Sequence, residues 1–221
     1  MNLLAGWRPD AVVFDCDGLL MDTESCWTIA ERAMFARHGL PFGDAEKASL
    51  IGRSIPDAAE VLTHTFGRPG ENAAIAQEMI DGATKTIAAN AEPMPGAQAL
   101  LARLRGRLPL AVASNATRAL LDTALQRGGF GDEFSVSLSA DDVRHPKPAP
   151  DMYLEACRRL GVPAERALAF EDSPTGLRSA QAAGLKVVGI PTLHNTEFPA
   201  DLVFASLADP TLVAWVDGWF A

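Results

Sequence analysis

Cysteine is scarce in this sequence: Cys16, Cys26 and Cys157 are the only three. They form neither a Cys-x-x-Cys pair nor a metal-ligand spacing, which argues against a disulfide framework and predicts reduced thiols in a cytoplasmic setting. No apolar run approaches the roughly 18 to 20 residues of a membrane span. The opening stretch, Met1 to Asp10, lacks both the charged start and the long apolar segment of a secretory signal. Positive charge is also in short supply: 19 Lys and Arg stand against 28 Asp and Glu, a formal net charge of -9. Nucleic acid and anionic membrane, which call for clustered basic residues, are thereby disfavoured as partners. An anionic small molecule would need a local cationic site or a metal to draw it in. Internal repeats, low-complexity tracts and coiled-coil heptads are missing too, so a monomer is the default expectation.

What is present suffices for a sizeable core. With 221 residues, 48% of them apolar, and a mean hydropathy of +0.06, the chain can bury one full core and still form a small second domain. Ala11-Val-Val-Phe14 is a β-branched apolar run that stops abruptly at Asp15-Cys-Asp17-Gly18, as a buried parallel strand does before a loop. Leu110 to Ser114, Ala167 to Glu171 and Lys186 to Ile190 have the same form, with weaker candidates at 135–139 and 202–204. Helical spacing lies between them: Leu100, Leu101, Leu104 and Leu108; Leu120, Leu121, Ala124 and Leu125; Tyr153, Ala156, Cys157 and Leu160, ended by Gly161. Strand and helix alternate from about residue 94 onward, which predicts a doubly wound α/β sheet. Residues 22–92 break the rhythm. They carry helical patterns (Trp27, Ala30, Met34; Ile75, Met79, Ile80) and no convincing strand, so they read as a helical insertion between a core of 1–21 and 93–221. Pro93-Met-Pro-Gly96 marks the turn back into that core.

Four polar clusters fall at or just beyond expected strand ends, and in an open parallel sheet those ends converge on one crevice. In Asp15-x-Asp17-Gly18, Asp15 is placed to attack a phosphoryl group, and the paired carboxylates suit a hard cation such as Mg²⁺. Asp17 can protonate the departing oxygen and later deprotonate a water. In isolation an ordinary polar turn is the better explanation of this motif, because such turns are common. Ser114-Asn115 offers a hydroxyl and an amide to phosphate oxygens, or a cap for the helix at 117–127. Lys147, in His145-Pro-Lys-Pro-Ala-Pro150, is an ammonium on a stiffened backbone, although a surface lysine between prolines is commonplace. Glu171-Asp172-Ser173 brings two adjacent carboxylates, with Asp172 completing a Mg²⁺ site and Glu171 orienting it from behind. A helix dipole explains acidic residues there, but not two in a row.

Together these clusters, with Asp22-Thr-Glu24, Lys147-Pro-Ala-Pro-Asp-Met-Tyr153, Glu171-Asp-Ser-Pro-Thr-Gly176 and Ala182-Ala-Gly184, resemble the haloacid dehalogenase-like hydrolase superfamily. Nearly the whole chain is covered, and the branch indicated carries a small helical cap after the first strand. The resemblance implies a Rossmann-like core, Asp15 as nucleophile and Asp17 as general acid and base. It further implies Mg²⁺ on the side chains of Asp15 and Asp172 and the backbone carbonyl of Asp17, with Ser114 and Lys147 on the phosphoryl group and Lys147 also balancing the charge on Asp15. Dehalogenases proper lack the second aspartate, so Asp17 speaks against dehalogenation. Ile51-Gly-Arg53-Ser54 is similar to the family's specificity loop; Arg53, Ser54, Glu24 and Trp27 are candidates for the substrate mouth, and Arg53, Glu24 and Trp27 equally candidates for surface or packing. The implied activity is Mg²⁺-dependent hydrolysis of a small phosphate monoester, such as a sugar phosphate, through an aspartyl phosphate. A β-phosphoglucomutase-type isomerase uses the same residues, but Ser-Asn-Ala-Thr117 departs from the mutase pattern, which shifts weight toward hydrolysis. His145-Pro146 stands before Lys147 where a Gly is common, a difference that bears on how that lysine is posed. A phospho-accepting receiver-type signalling domain shares the acids, hydroxyl and lysine; the helical insertion is foreign to it.

Overall fold

The computed structural model describes Leu4, Gly6 and residues 7–51, 53–192 and 198–220. In chain order, β1 (Ala11–Phe14) is followed by four helices, α1 (Glu24–Arg37), α2 (Asp44–Leu50), α3 (Ile55–Thr65) and α4 (Asn72–Asn90). Next come α5 (Ala97–Leu104), β2 (Leu110–Ala113), α6 (Arg118–Gly128), β3 (Val136–Leu138) and α7 (Asp151–Leu160). The chain continues through β4 (Ala167–Glu171), α8 (Pro174–Ala182), β5 (Lys186–Gly189), β6 (Leu202–Val203) and α9 (Pro210–Asp217). It divides into two compact units, Met1–Asp22 with Glu92–Ala221, and Thr23–Ala91.

The first unit is built on a six-stranded sheet of order β3-β2-β1-β4-β5-β6, every adjacent pair parallel. β1 is central, with Val13 opposite Ala111 of β2 on one side and Ala169 of β4 on the other. The strand order reverses between β1 and β4, and at such a switch point the outgoing loops diverge and leave a crevice. Hence the residue after β1 and the last residue of β4 meet, although 156 positions separate Asp15 from Glu171. All four residues of β1 are fully buried, as a strand covered on both faces must be. Val13, Ala111, Ala169 and Val187 pack in one core cluster with Tyr153 and Ala156 of α7 and Leu177 and Ala180 of α8. Each fully buried Leu or Val there contributes roughly 1.5–3 kcal/mol. Phe14 and Phe170, next to each other on adjacent strands, stack at 5.0 Å.

Two sequence expectations change. Leu108 does not continue the Leu100-Leu101-Leu104 face, because the helix closes at Leu104 and Gly106 turns the chain with φ 70°. Neither Ser114 nor Asn115 caps α6. Thr117 holds the cap position, and the free Arg118 N–H donates instead to Asp141 Oδ2 at 2.8 Å.

The second unit, taken by itself, contains only helices among its described residues. Its core gathers Met34, Phe35, Leu62, Ile75 and Met79, with Trp27 packed against them. Phe35 meets Phe42 and Phe66 edge to face, both at 5.1 Å. No helix of the described chain is long and apolar enough to cross a membrane.

Candidate active site

The end of β1 delivers Asp15 into a buried polar cluster. Lys147 Nζ donates to Asp15 Oδ1 at 2.5 Å and to Glu171 Oε1 at 2.6 Å. The same Glu171 oxygen accepts from the Tyr153 hydroxyl at 2.6 Å, and the Lys147 ammonium lies 5.1 Å from the Tyr153 ring centre. The lysine is thus held from one side by the β1 carboxylate and from the other by a carboxylate at the end of β4 and a tyrosine on the first turn of α7. Asp17 accepts from Ser114 Oγ at 2.6 Å, so the residue just after β2 orients the second aspartate. Asp172 accepts from Thr192 Oγ1 at 3.0 Å.

Two glycines make the cluster possible. Gly18 has φ +79°, and a Cβ there would stand 2.5 Å from Asp172 Oδ2. Gly176, in the first turn of α8, lies so close to Glu171 that a Cβ would collide with its carboxylate. Gly176→Ala is therefore expected to be destabilised by about 1–3 kcal/mol, as in other overpacked sites, and to push Glu171 off Lys147. A thermal melt should fall by several degrees while turnover also drops; an unchanged melting temperature would refute the steric argument.

The electrostatics follow from crowding acids where water is excluded. Burial raises the Asp15 carboxyl well above its ordinary range; Lys147 opposes this, and Glu171, Asp172 and Asp17 add to it. Asp172 is raised to about 7, chiefly by burial and then by Glu171, with Thr192 and Lys147 pulling the other way. Burial works against the charge on Lys147, but Asp15 and Glu171 outweigh it and hold the ammonium well above its usual value. One cation thus faces more carboxylates than it can balance. Asp15, Glu171 and Asp172 each present an oxygen within 4.8 Å of the others. Hard oxygen donors with surplus negative charge are the donor set that Mg²⁺ prefers, and such an ion would favour the ionised form of both aspartates.

Of the residues expected from sequence, Asp15, Asp17, Ser114, Lys147, Glu171 and Asp172 come together. Asn115 joins them differently: its amide pairs with the main chain of Lys147. Glu171 does more than stand behind Asp172, since one of its oxygens carries both Lys147 and Tyr153. In the helical unit, Ser54 caps α3, donating to Asp57 Oδ2 at 2.6 Å and accepting from the Asp57 N–H. Glu24 pairs with Lys47 at 2.7 Å, Arg53 is exposed with Nε on the Ser49 carbonyl at 2.7 Å, and Gly52 lies outside the described residues. Sequence reasoning gave Tyr153 and Thr192 no role at the site. Tyr153 is the only tyrosine in the chain, and a hydroxyl on a core-facing helix position needs a buried partner, which is the signal that would have found it.

A parallel sheet with this strand order, ending in an aspartate pair, a buried lysine and a second acidic pair, defines the class: the chain belongs to the haloacid dehalogenase-like hydrolase family, whose model matches residues 9–184. It is 33% identical over 204 residues to validoxylamine A 7'-phosphate phosphatase of Streptomyces hygroscopicus subsp. limoneus, across 92% of this chain and 95% of that one. Protein CbbY of Rhodobacter capsulatus is 37% identical over 198 residues, 84% of this chain and 86% of its own length. Among solved structures, CbbY from Rhodobacter sphaeroides in complex with phosphate superposes with a TM-score of 0.78 at 29% identity, covering 91% of this chain and 96% of that one.

Proposed function

We propose that this protein is a Mg²⁺-dependent phosphatase that cleaves a small phosphorylated sugar or polyol through an aspartyl phosphate on Asp15. The observation that carries the reading is the buried Asp15–Lys147–Glu171 chain, at 2.5 and 2.6 Å, beside Asp17 on Ser114. A carboxylate nucleophile, a fixed cation and an adjacent acid–base group are the parts that phosphoryl transfer to a carboxylate requires.

Asp15 attacks phosphorus, the ester P–O bond breaks, and the departing alkoxide takes a proton from Asp17. Asp17 then removes a proton from water; that water attacks the phosphoryl group, the bond to Asp15 breaks, and inorganic phosphate leaves. Throughout, Lys147 keeps a positive charge beside Asp15 and the incoming phosphoryl oxygens, and Ser114 holds the Asp17 carboxylate in reach of the oxygen it protonates. Mg²⁺ held by Asp15 and Asp172, with the Asp17 carbonyl, would offset the negative charge of the phosphoryl group. In this reading the helical unit is the substrate-selecting cap and Arg53, with its exposed guanidinium, the residue there that binds a distal oxyanion or hydroxyl.

The substrate class rests on the relatives: one is named as a phosphatase of validoxylamine A 7'-phosphate, and a variant of the Rhodobacter sphaeroides CbbY was solved with xylulose-(1,5)bisphosphate. A panel of phosphorylated sugars and polyols is the test, β-glucose 1-phosphate and a ketose bisphosphate included, with Mg²⁺ or with EDTA. Phosphate release is expected from several members and should stop in EDTA. Conversion of β-glucose 1-phosphate into glucose 6-phosphate without release would replace hydrolysis by isomerisation.

A further inference from the structure

The Lys147 ammonium can serve Asp15 only if its main chain is held in place, and that segment has few means of holding itself. Residues 146–148 read Pro-Lys-Pro. Proline has no N–H, so the Lys147 amide is the one backbone donor of the three. Regular structure does not take it up. Instead the Lys147 N–H donates to Asn115 Oδ1 at 2.9 Å, and Asn115 Nδ2 donates back to the Lys147 carbonyl, also at 2.9 Å. The amide thereby reads both polar groups of one residue's main chain, as a neighbouring strand would. A second tether follows two residues on, where the buried Ser179 hydroxyl of α8 donates to the Ala149 carbonyl at 2.5 Å.

We infer that Asn115 is a positioning residue for Lys147 and not a ligand of the substrate: it clamps the lysine's main chain so that the ammonium meets Asp15 and Glu171. The tips of two crossovers are linked in this way. Ser114 at the end of β2 sets Asp17, and the next residue sets Lys147, so neighbouring side chains on one loop fix the acid–base group and the cation together. The inference rests on the phosphatase reading for its catalytic consequence, but the clamp itself is testable without turnover.

The clamp is read by amide exchange, the function by kinetics. In hydrogen exchange followed by NMR on the full chain, the Lys147 amide should exchange at least about tenfold faster in Asn115→Ala than in wild type. In Asn115→Asp, which keeps the acceptor, protection should largely persist. Equal protection in wild type and Asn115→Ala would overturn the clamp whether or not any substrate is turned over. Phosphate release under Mg²⁺, from the best ester of the panel, then tests the route of action in a double-mutant cycle with Lys147→Met. Asn115→Ala should lower kcat by about 10- to 100-fold with KM changed less than about threefold, and should cost less than about twofold more when Lys147 is already gone. A raised KM at unchanged kcat, or effects that multiply in the double variant, would make Asn115 a substrate contact and overturn the inference. Rapid Lys147 exchange in Asn115→Ala, alongside a wild type that hydrolyses no ester, would uphold the clamp and sink the phosphatase reading alone.

Discussion

Asp15→Asn is expected to lose phosphatase activity by on the order of 10⁴-fold or more, the scale seen when a nucleophile is removed, while the protein becomes harder to unfold. Both halves come from the same geometry. An amide in place of the carboxylate cannot form the aspartyl phosphate proposed for Asp15, and on that proposal residual hydrolysis must come from direct attack of water in a site still able to bind the ester. The amide also carries no charge. Asp15 sits buried among Glu171, Asp172 and Asp17, with burial the largest influence raising its pKa, and Lys147 retains Glu171 as its partner at 2.6 Å. Removing one carboxylate from an over-supplied group should stabilise the metal-free protein by about 1 kcal/mol, hence a melting temperature higher by roughly 2–4 °C in EDTA. Mg²⁺ should narrow the gap, because the wild type has more charge for the ion to offset. A variant that keeps turnover would remove Asp15 from the mechanism; one that melts well below wild type would show that the acid surplus is not a source of instability.

The second large effect is expected from Lys147→Met, which is similar in length and keeps the apolar stem. Loss of a fixed cation at a transferring group lowers turnover by about 10²- to 10³-fold. Here the removal also leaves Glu171, fully buried, and Asp15 without their shared partner. Breaking a buried ion pair from one side costs about 3–5 kcal/mol. The pH dependence has a definite sign. The Asp15 carboxyl already lies above its ordinary value, and without Lys147, which opposes that shift, it should lie higher still. A carboxyl raised in the folded state favours folding at low pH and loses that contribution as pH rises from its unfolded value through its folded one. The variant should therefore melt closer to wild type near pH 5 than near pH 8. A deficit independent of pH would assign the loss to packing instead of charge.

How far the sequence led depends on which interactions are local. Strand positions were legible because β1, β2 and β4 are short apolar runs that end in polar residues, and the crevice followed from the convergence of parallel strand ends. Within that crevice, residue types alone pointed to Asp15, Asp17, Lys147 and Asp172. Pairing was legible only in part. That Lys147 balances Asp15, 132 positions away, came from the resemblance, whereas the bonds of Ser114 to Asp17 across 97 positions and of Lys147 to Glu171 are encoded by no local pattern. Tyr153 passed as a packing residue because its spacing with Ala156 and Cys157 is that of a core-facing helix stripe, and the stripe is real. Its hydroxyl nevertheless turns one end of the stripe into part of the site. Asn115 was legible as polar and near a strand end, which suits a phosphate ligand, a helix cap or a clamp equally. Ser54 is the converse case, a candidate for the substrate mouth whose hydroxyl is engaged in capping α3.

The position of Tyr153 has a practical consequence. Since the chain contains one tyrosine, and that residue hydrogen-bonds the carboxylate which holds Lys147, a fluorine-labelled tyrosine incorporated throughout the protein would give a single resonance. That resonance would come from the interior of the acid–lysine cluster and from nowhere else, so the protonation and occupancy of the site can be followed in the intact enzyme without introducing a probe at any other position.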